Sequence, residues 1–218
     1  MSTETTPPLR ADARRNRDRI INAARAVFAE HGPEVPMEEI ARAAGVGTGT
    51  LYRRFPDRDS LIRAVGQDVF GRVLAEAREI AERETDPWRA LTEFLLTASD
   101  LHTVLRLSVH SPRARAVLGT DPELAKVRGE MLTILDSMVR GAQESGALRP
   151  DIGSGDVALL LSSVLHGVRN VPDDVRRDAP ARYLTLVLDG LRASPGSALP
   201  GRPVTGEDIS MARVYPAE

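Results

Sequence analysis

The stretch Met37–Arg58, MEEIARAAGVGTGTLYRRFPDR, decides how this chain folds. Ile40, Ala41 and Ala44 fall at i, i+1 and i+4, one face of a short helix whose first turn carries Glu38 and Glu39, where acidic side chains suit the helix dipole. Gly45 ends that helix. Two helices crossing at a steep angle need a small residue where they touch and a turn residue tolerant of positive φ, and Ala41 and Gly45 supply these. Val46 and Leu51 plug the angle, Gly47 caps a second helix, and that helix runs from about Thr48 to Arg54. The pattern is a helix-turn-helix.

The second helix exposes Thr48, Gly49, Thr50, Tyr52, Arg53 and Arg54. In a helix-turn-helix its N-terminal part lies in the major groove of duplex DNA. Threonine offers a hydroxyl and a methyl to base edges or phosphates, arginine pairs bidentately with guanine, and glycine lets the backbone approach closely. Tyr52 and Arg54 suit phosphate. Pro56 and Asp57 stop this helix and start the next; with Asp57 as N-cap, Arg58 stands at an end rich in free N–H groups and is expected to hold one more phosphate. The plainer alternative is an Ala-Gly helix pair with a solvated Thr/Arg face.

Longer agreement narrows the choice. The run GVGTGTLYRRFPDRDSL, from Gly45 to Leu61, resembles the DNA-binding signature of the TetR (tetracycline-repressor-like) family, in which Gly-Val precedes a Gly-Thr-Leu-Tyr core and an aromatic and a basic residue follow. Gly47 stands where that family usually has a Ser or Thr cap, Pro36 where a Thr often caps the first helix, and Arg54-Phe55 replace the commoner Tyr-Phe pair. Both cap changes are chemically tolerable, and Arg54 suggests an added cationic phosphate contact. The resemblance implies an all-α fold: an N-terminal three-helix helix-turn-helix domain followed by a larger helical ligand-binding and dimerisation domain. It also implies a regulator, most simply a repressor, that binds double-stranded operator DNA as a homodimer and is released by an unidentified small-molecule effector.

Bulk composition is compatible with this. The chain has 218 residues, is 42% hydrophobic and carries a formal charge of −2, so it can bury a core, and its mild acidity makes the distribution of charge more informative than the sum. Between Arg10 and Arg63 there are eleven Arg against eight Asp and Glu, so the basic residues lie where the motif is. Absence of Cys excludes disulfides and thiolate metal sites. No apolar run approaches the ~18 residues of a membrane span, and the N-terminus lacks an apolar signal core, so a cytoplasmic protein without membrane contact is expected.

Working outward, residues 1–9 read as a disordered tail and 10–63 as the DNA-binding domain. Arg10, Arg14, Arg15, Arg17 and Arg19 form a basic arm ahead of the helical stripe Ile20, Ile21, Ala24, Val27 and Phe28, either adding salt-sensitive phosphate contacts or simply solvating a helix end. From Asp57 to about Arg83 the apolar periodicity is unbroken, predicting one long helix. Residues 64–194 read as the helical effector-binding and dimerisation domain: Asp86-Pro87 and Asp121-Pro122 open helices, Ser111-Pro112 breaks one, and no strand pattern appears. Residues 195–218, punctuated by Gly and Pro, read as a mobile tail.

In the last two helices Leu160, Ser163, Val164 and Gly167, with Leu184, Val187, Leu188 and Leu191, are the candidates for the dimer interface. The resemblance implies a four-helix bundle with a second subunit; the alternative is that both faces are buried within one chain. For the effector pocket, which the resemblance places between the middle helices, the candidates are Trp88, Leu95, His102, Arg106, Met131, Leu135, Met138 and His166. Met suits adaptable apolar pockets, and Arg106 favours an anionic or carbonyl-bearing effector. His102, His110 and His166 admit a metal reading, but no HxxxH pair, Glu-x-x-His pair or Cys supports it, and no Gly-x-Ser-x-Gly elbow or phosphate-cradling loop supports an enzyme. No catalytic residue, metal or cofactor is expected. A helical enzyme and a DNA-free helical interaction module are the competing readings.

Overall fold

The computed structural model describes residues 8–98, 101, 104, 107–108, 111–167, 178–193, 196–197 and 199–211, with the side chains of 8–11, 13, 166–167 and 210–211 left aside. All its regular elements in this range are helices, and an isolated bridge pairs Leu148 with Arg192. The described residues fall into two compact units: residues 1–68 with the segment Arg106–Leu118, and residues 69–105 with 119–218.

In the first unit α1 spans Pro8–His31. The basic residues ahead of the apolar stripe are part of this helix: Arg15 pairs with Asp12 and Arg19 donates to Asn16, i,i+3 contacts of a helical backbone. Ile20, Ile21, Ala24 and Phe28 form its buried stripe, and Gly32, at φ +84°, ends it. Helix α2 covers Met37–Ala43 and α3 covers Thr48–Arg54. Between them Gly45 sits at φ +63°, where a side chain would be strained, and Val46 N–H donates back to Ala41 O at 3.0 Å, closing the turn. Met37, Ile40, Ala41, Leu51 and Phe55 bury the inner sides of the pair.

Helix α4 runs from Arg58 to Arg83. Asp57 caps it, its carboxylate accepting Ser60 N–H at 2.7 Å, while Ser60 Oγ donates to Asp57 O. Helix α6, Pro112–Thr120, lies largely in the segment grouped with the first unit. That grouping departs from the contiguous boundary expected at residue 63, and its causes are visible. Ala114 and Leu118 are buried, Ser111 Oγ meets Glu34 Oε1 at 3.2 Å, and Arg113 pairs with Asp59.

The second unit holds α5 (Pro87–Thr97), α7 (Pro122–Glu144), α8 (Ser154–Gly167), α9 (Ala179–Leu191) and α10 (Gly206–Met211). Asp86 caps α5 through Trp88 and Arg89 N–H, and Asp121 caps α7 through Leu124 N–H at 2.8 Å, each with Pro in the first helical turn, the arrangement that Asp-Pro predicts. The core is the stripe Leu124, Leu135, Met138 and Ala142 of α7 with Leu91, Phe94 and Leu95 of α5, Val157, Leu161 and Leu165 of α8, and Leu184, Leu188 and Leu191 of α9. The tail expected to lack structure forms α10 and is tied to the body of this unit. Of that tail, residues 195, 198 and 212–218 lie outside the described residues, as do residues 1–7 of the N-terminal tail, whereas Pro8 and Leu9 belong to α1.

Candidate functional site

Helix α3 is anchored from below and open above. Leu51 is fully buried and Phe55 nearly so, a pair of side chains whose burial is worth about 2–3 kcal/mol each. Their spacing turns Thr48, Gly49, Tyr52, Arg53 and Arg54 outward, with Thr50 partly covered. Gly47 begins the helix without a side-chain cap, its carbonyl accepting Thr50 and Leu51 N–H. The Thr48 hydroxyl is thus not consumed by capping. Among the described residues Arg53 and Arg54 have no ion-pair or hydrogen-bond partner, so two guanidinium groups stand side by side in solvent.

Tyr52 is 42% exposed, and its hydroxyl donates to Glu38 Oε1 at 3.1 Å. The hydrogen bond and the carboxylate's charge hold the phenol above its usual pKa, so Tyr52 presents a neutral O–H donor throughout the ordinary pH range. Glu38, on the first turn of α2, was not among the expected site residues. Its tie to Tyr52 spans fourteen positions and becomes visible only once α2 and α3 are packed.

Arg58 differs from expectation. Its Nη1 donates to the carbonyls of Pro33 and Val35, closing the loop between α1 and α2 onto the start of α4. A partly buried guanidinium whose Nη1 is bonded to two carbonyls is a structural clamp, a role the phosphate reading did not include. The sequence shows the helix end but not the loop that folds over it.

In the second unit, Trp88, Leu95, Leu135 and Met138 are buried, and Met131 is partly buried on the same face of α7 as Leu135 and Met138. Arg192 lies over the Trp88 ring at 4.9 Å. His102, Arg106 and His110, and the side chain of His166, lie outside the described residues. Two polar groups escaped the sequence reading. Arg128 continues the inward α7 stripe between Leu124 and Met131, half-buried with its guanidinium 6.0 Å from the Phe70 ring, and desolvation lowers its pKa. Thr92 Oγ1 on α5 is buried with no hydrogen-bond partner among the described residues. Heptad-like spacing could have flagged Arg128, since position 128 follows Leu124 by one turn.

The α8/α9 candidates divide. Leu184, Leu188 and Leu191 are buried in the core of their own unit, so these three are reassigned from the interface to the core; α9 has two apolar stripes, and the sequence does not tell which faces inward. The other stripe is open: Leu159 and Leu160 on α8, Tyr183 and Leu186 on α9 are all exposed, with Leu186 at 60%. Ser163 is exposed, and Val164 and Val187 are half-buried. Val164, Tyr183, Leu186 and Val187 line a shallow groove of about 350 Å³. Gly167 carries no side-chain description.

Among the described residues no three His, Cys, Asp or Glu side chains are grouped to hold a metal, and no helix is long and apolar enough to cross a membrane.

Comparison with known proteins places these features in a family. Residues 20–65 match the model for bacterial regulatory proteins of the tetR family, and residues 86–193 match that for the C-terminal domain of SbtR-like transcriptional regulators. The chain is 27% identical over 202 residues to the HTH-type transcriptional regulator UidR of Escherichia coli, covering 88% of this chain and 96% of that protein. It is 36% identical over 123 residues to the HTH-type transcriptional repressor LfrR of Mycolicibacterium smegmatis, covering 56% of this chain and 62% of that one. A crystal structure of a TetR transcription regulatory protein from Mycobacterium vanbaalenii aligns over 85% of this chain and 99% of its own with 33% identity and a TM-score of 0.58. With its helix-turn-helix and its helical C-terminal unit matched together, the chain belongs to the TetR family of transcriptional regulators.

Proposed function

We propose that this regulator is a repressor that binds operator DNA as a homodimer and leaves it when a small molecule enters the second unit. The observation that carries the reading is the α3 face: Thr48, Tyr52, Arg53 and Arg54 stand exposed on a helix whose underside is fully committed to the core. Threonine and arginine at the groove-facing end read bases, and Tyr52 and Arg54 take phosphates. LfrR, named a transcriptional repressor, supports the sign of the regulation.

Two copies would present two such helices, which must lie about 34–36 Å apart to reach successive major grooves. The open stripe of α8 and α9 is the surface for that pairing, because contiguous exposed leucines and tyrosine seek a dry partner. Helix α4 continues without a break from Arg58 to Arg83, so a ligand that tilts it changes the spacing of the recognition helices. Linkage requires the ligand to prefer the form that does not fit DNA, with a coupling of about 1–3 kcal/mol. Trp88, Leu95, Met131, Leu135 and Met138 supply apolar lining, while Arg128 and Thr92 supply polar handles and favour an effector with an anionic or carbonyl group.

The test is fluorescence anisotropy against duplexes tiled across the DNA flanking the gene, at two salt concentrations, beside Tyr52→Ala. Fragment-specific binding that weakens with salt and fails in the variant is expected. Equal binding by the variant would remove α3 from the interface.

A further inference from the structure

The C-terminal segment after α9 is bound to the body of the second unit at three successive points. First, Arg149 Nη2 donates to Ser197 O at 2.9 Å, and Asp151, itself paired with Arg149, accepts the Leu199 backbone N–H. Next, Val204 forms a reciprocal pair with the start of α8. Its carbonyl accepts Gly155 N–H at 2.9 Å and Asp156 N–H at 3.3 Å, and its own N–H donates to Asp156 Oδ2 at 2.9 Å. Last, Gly206 opens α10 against Ser154 and Leu132, 3.5 and 3.6 Å from where its Cβ would stand.

The body is shaped for this contact. A Cβ on Gly153 would lie 2.2 Å from Val204 O, and one on Gly155 would lie 2.4 Å from Thr205 O, distances that real atoms do not adopt. Both glycines are needed because a backbone crosses them. The segment also has its own lock: Arg202 makes a bidentate pair with Asp208, at 2.6 and 2.7 Å, while Asp208 Oδ2 accepts Thr205 N–H and Thr205 Oγ1. These donors hold the Asp208 carboxyl far below the usual carboxylate range.

We propose that residue 197 and residues 199–211 form a clasp that fixes the loop between α7 and α8 and the first turn of α8 from outside. From inside, Gln143 Nε2 holds the same loop through the carbonyls of Arg149 and Ile152, and Ser154 Oγ meets Asp136 Oδ1. The clasp supplies what that end of α8 lacks, a carbonyl for its first free N–H groups. Because α8 carries Leu159, Leu160 and Val164, the clasp sets the outer face offered to a second copy; this consequence, though not the clasp itself, rests on the dimer reading above.

The test is amide hydrogen exchange on the full chain, comparing wild type with Gly155→Ala and Arg202→Ala. Alanine in a first helical turn ordinarily favours the helix. With the clasp present, Gly155→Ala instead collides with Thr205 and accelerates exchange at Asp156 and Val204 at least tenfold. Arg202→Ala, which removes the pair with Asp208 and leaves every residue of α8 and its loop unchanged, does the same by unlocking α10. Amides of α2 and α3 keep their protection in both variants, which separates release of the clasp from global unfolding. Unprotected Val204 in the wild type, or unchanged exchange at Asp156 in both variants, overturns the proposal. Sedimentation of the same proteins addresses the consequence: a tenfold weaker dimer is expected in both variants. A chain that sediments as a monomer throughout would sink the dimer reading while leaving the exchange result to decide the clasp.

Discussion

The outer face of α3 and the outer face of α8 and α9 are both surfaces whose helices are anchored elsewhere, and they differ in what they leave exposed. On α3 the uncovered groups are the Thr48 side chain, a tyrosine ring edge with its hydroxyl and two guanidinium groups. On α8 and α9 they are Leu159, Leu160, Tyr183 and Leu186 around a shallow groove. A polar, cationic surface gains most from a polyanion, and that gain falls with salt because condensed counterions are released. An apolar surface gains from water exclusion and is nearly indifferent to salt. The two surfaces, if each meets the partner proposed for it, can be told apart by ionic strength alone.

Breaking the apolar face should have the largest effect. Leu186→Glu, at the most exposed position of the stripe, is expected to weaken self-association by about 2–4 kcal/mol, roughly 30- to 1000-fold, measured by analytical ultracentrifugation. Raising the salt should leave the wild-type association unchanged. Retention of the wild-type constant in the variant would move the interface off this face.

Two arginines sharpen the opposite side of the comparison. Arg53→Ala should weaken binding to a cognate duplex by about 1–3 kcal/mol and relax base preference. Arg58→Ala should instead lower unfolding free energy by about 1–2 kcal/mol, since two loop carbonyls lose a charged donor, and leave the salt slope of DNA binding unchanged. A salt slope shallower by about one in Arg58→Ala would show that the residue also contacts phosphate.

Smaller effects follow at the helix start. Asp57→Ala should cost about 1 kcal/mol of stability in denaturant melts, the usual loss for an N-cap, whereas Asp57→Asn should cost little. The Ser60 N–H, with help from Arg63 and Arg113, holds the Asp57 carboxyl below its ordinary pKa. Its stabilising contribution is therefore complete above the unfolded carboxylate pKa, near 4, and is lost as pH falls through the depressed folded value. In Asp57→Asn that acid-side loss should disappear; an unaltered acid limb would show that the cap does not govern it.

Least in size and opposite in sign is Glu38→Gln. In the free protein Glu38 accepts the hydroxyl proton that Tyr52 would offer to a phosphate, and its charge repels the same phosphate. Removing the charge should tighten DNA binding a few-fold, by about 0.5–1 kcal/mol at low salt, with less gain in a Tyr52→Phe background. Weaker binding in Glu38→Gln would mean that Glu38 positions Tyr52 for DNA rather than competing for it.

What the sequence determined by itself was whatever depends on neighbours along one helix or one turn. Gly45 at positive φ, the Asp86 and Asp121 caps ahead of proline, the buried Leu51 beneath Tyr52 and Arg53, and the unbroken run of α4 follow from spacings of a few residues, where chain geometry leaves little choice. The all-α class and the family followed from the same local signals. Tertiary structure decided every feature in which a side chain's partner lies far along the chain. Arg58 clamps a loop twenty-five positions away, and residues 111–118 joined the N-terminal unit through Glu34 and Asp59. Of two apolar stripes on α9, packing buried Leu184, Leu188 and Leu191 and left Tyr183 and Leu186 outside. The C-terminal segment looked structureless because its order comes from Gly153, Gly155 and Asp156, some fifty residues upstream, and not from periodicity of its own. Local conformation is a property of nearby residues; which face is buried, and which donor meets which acceptor, is settled only when distant segments compete for the same surface.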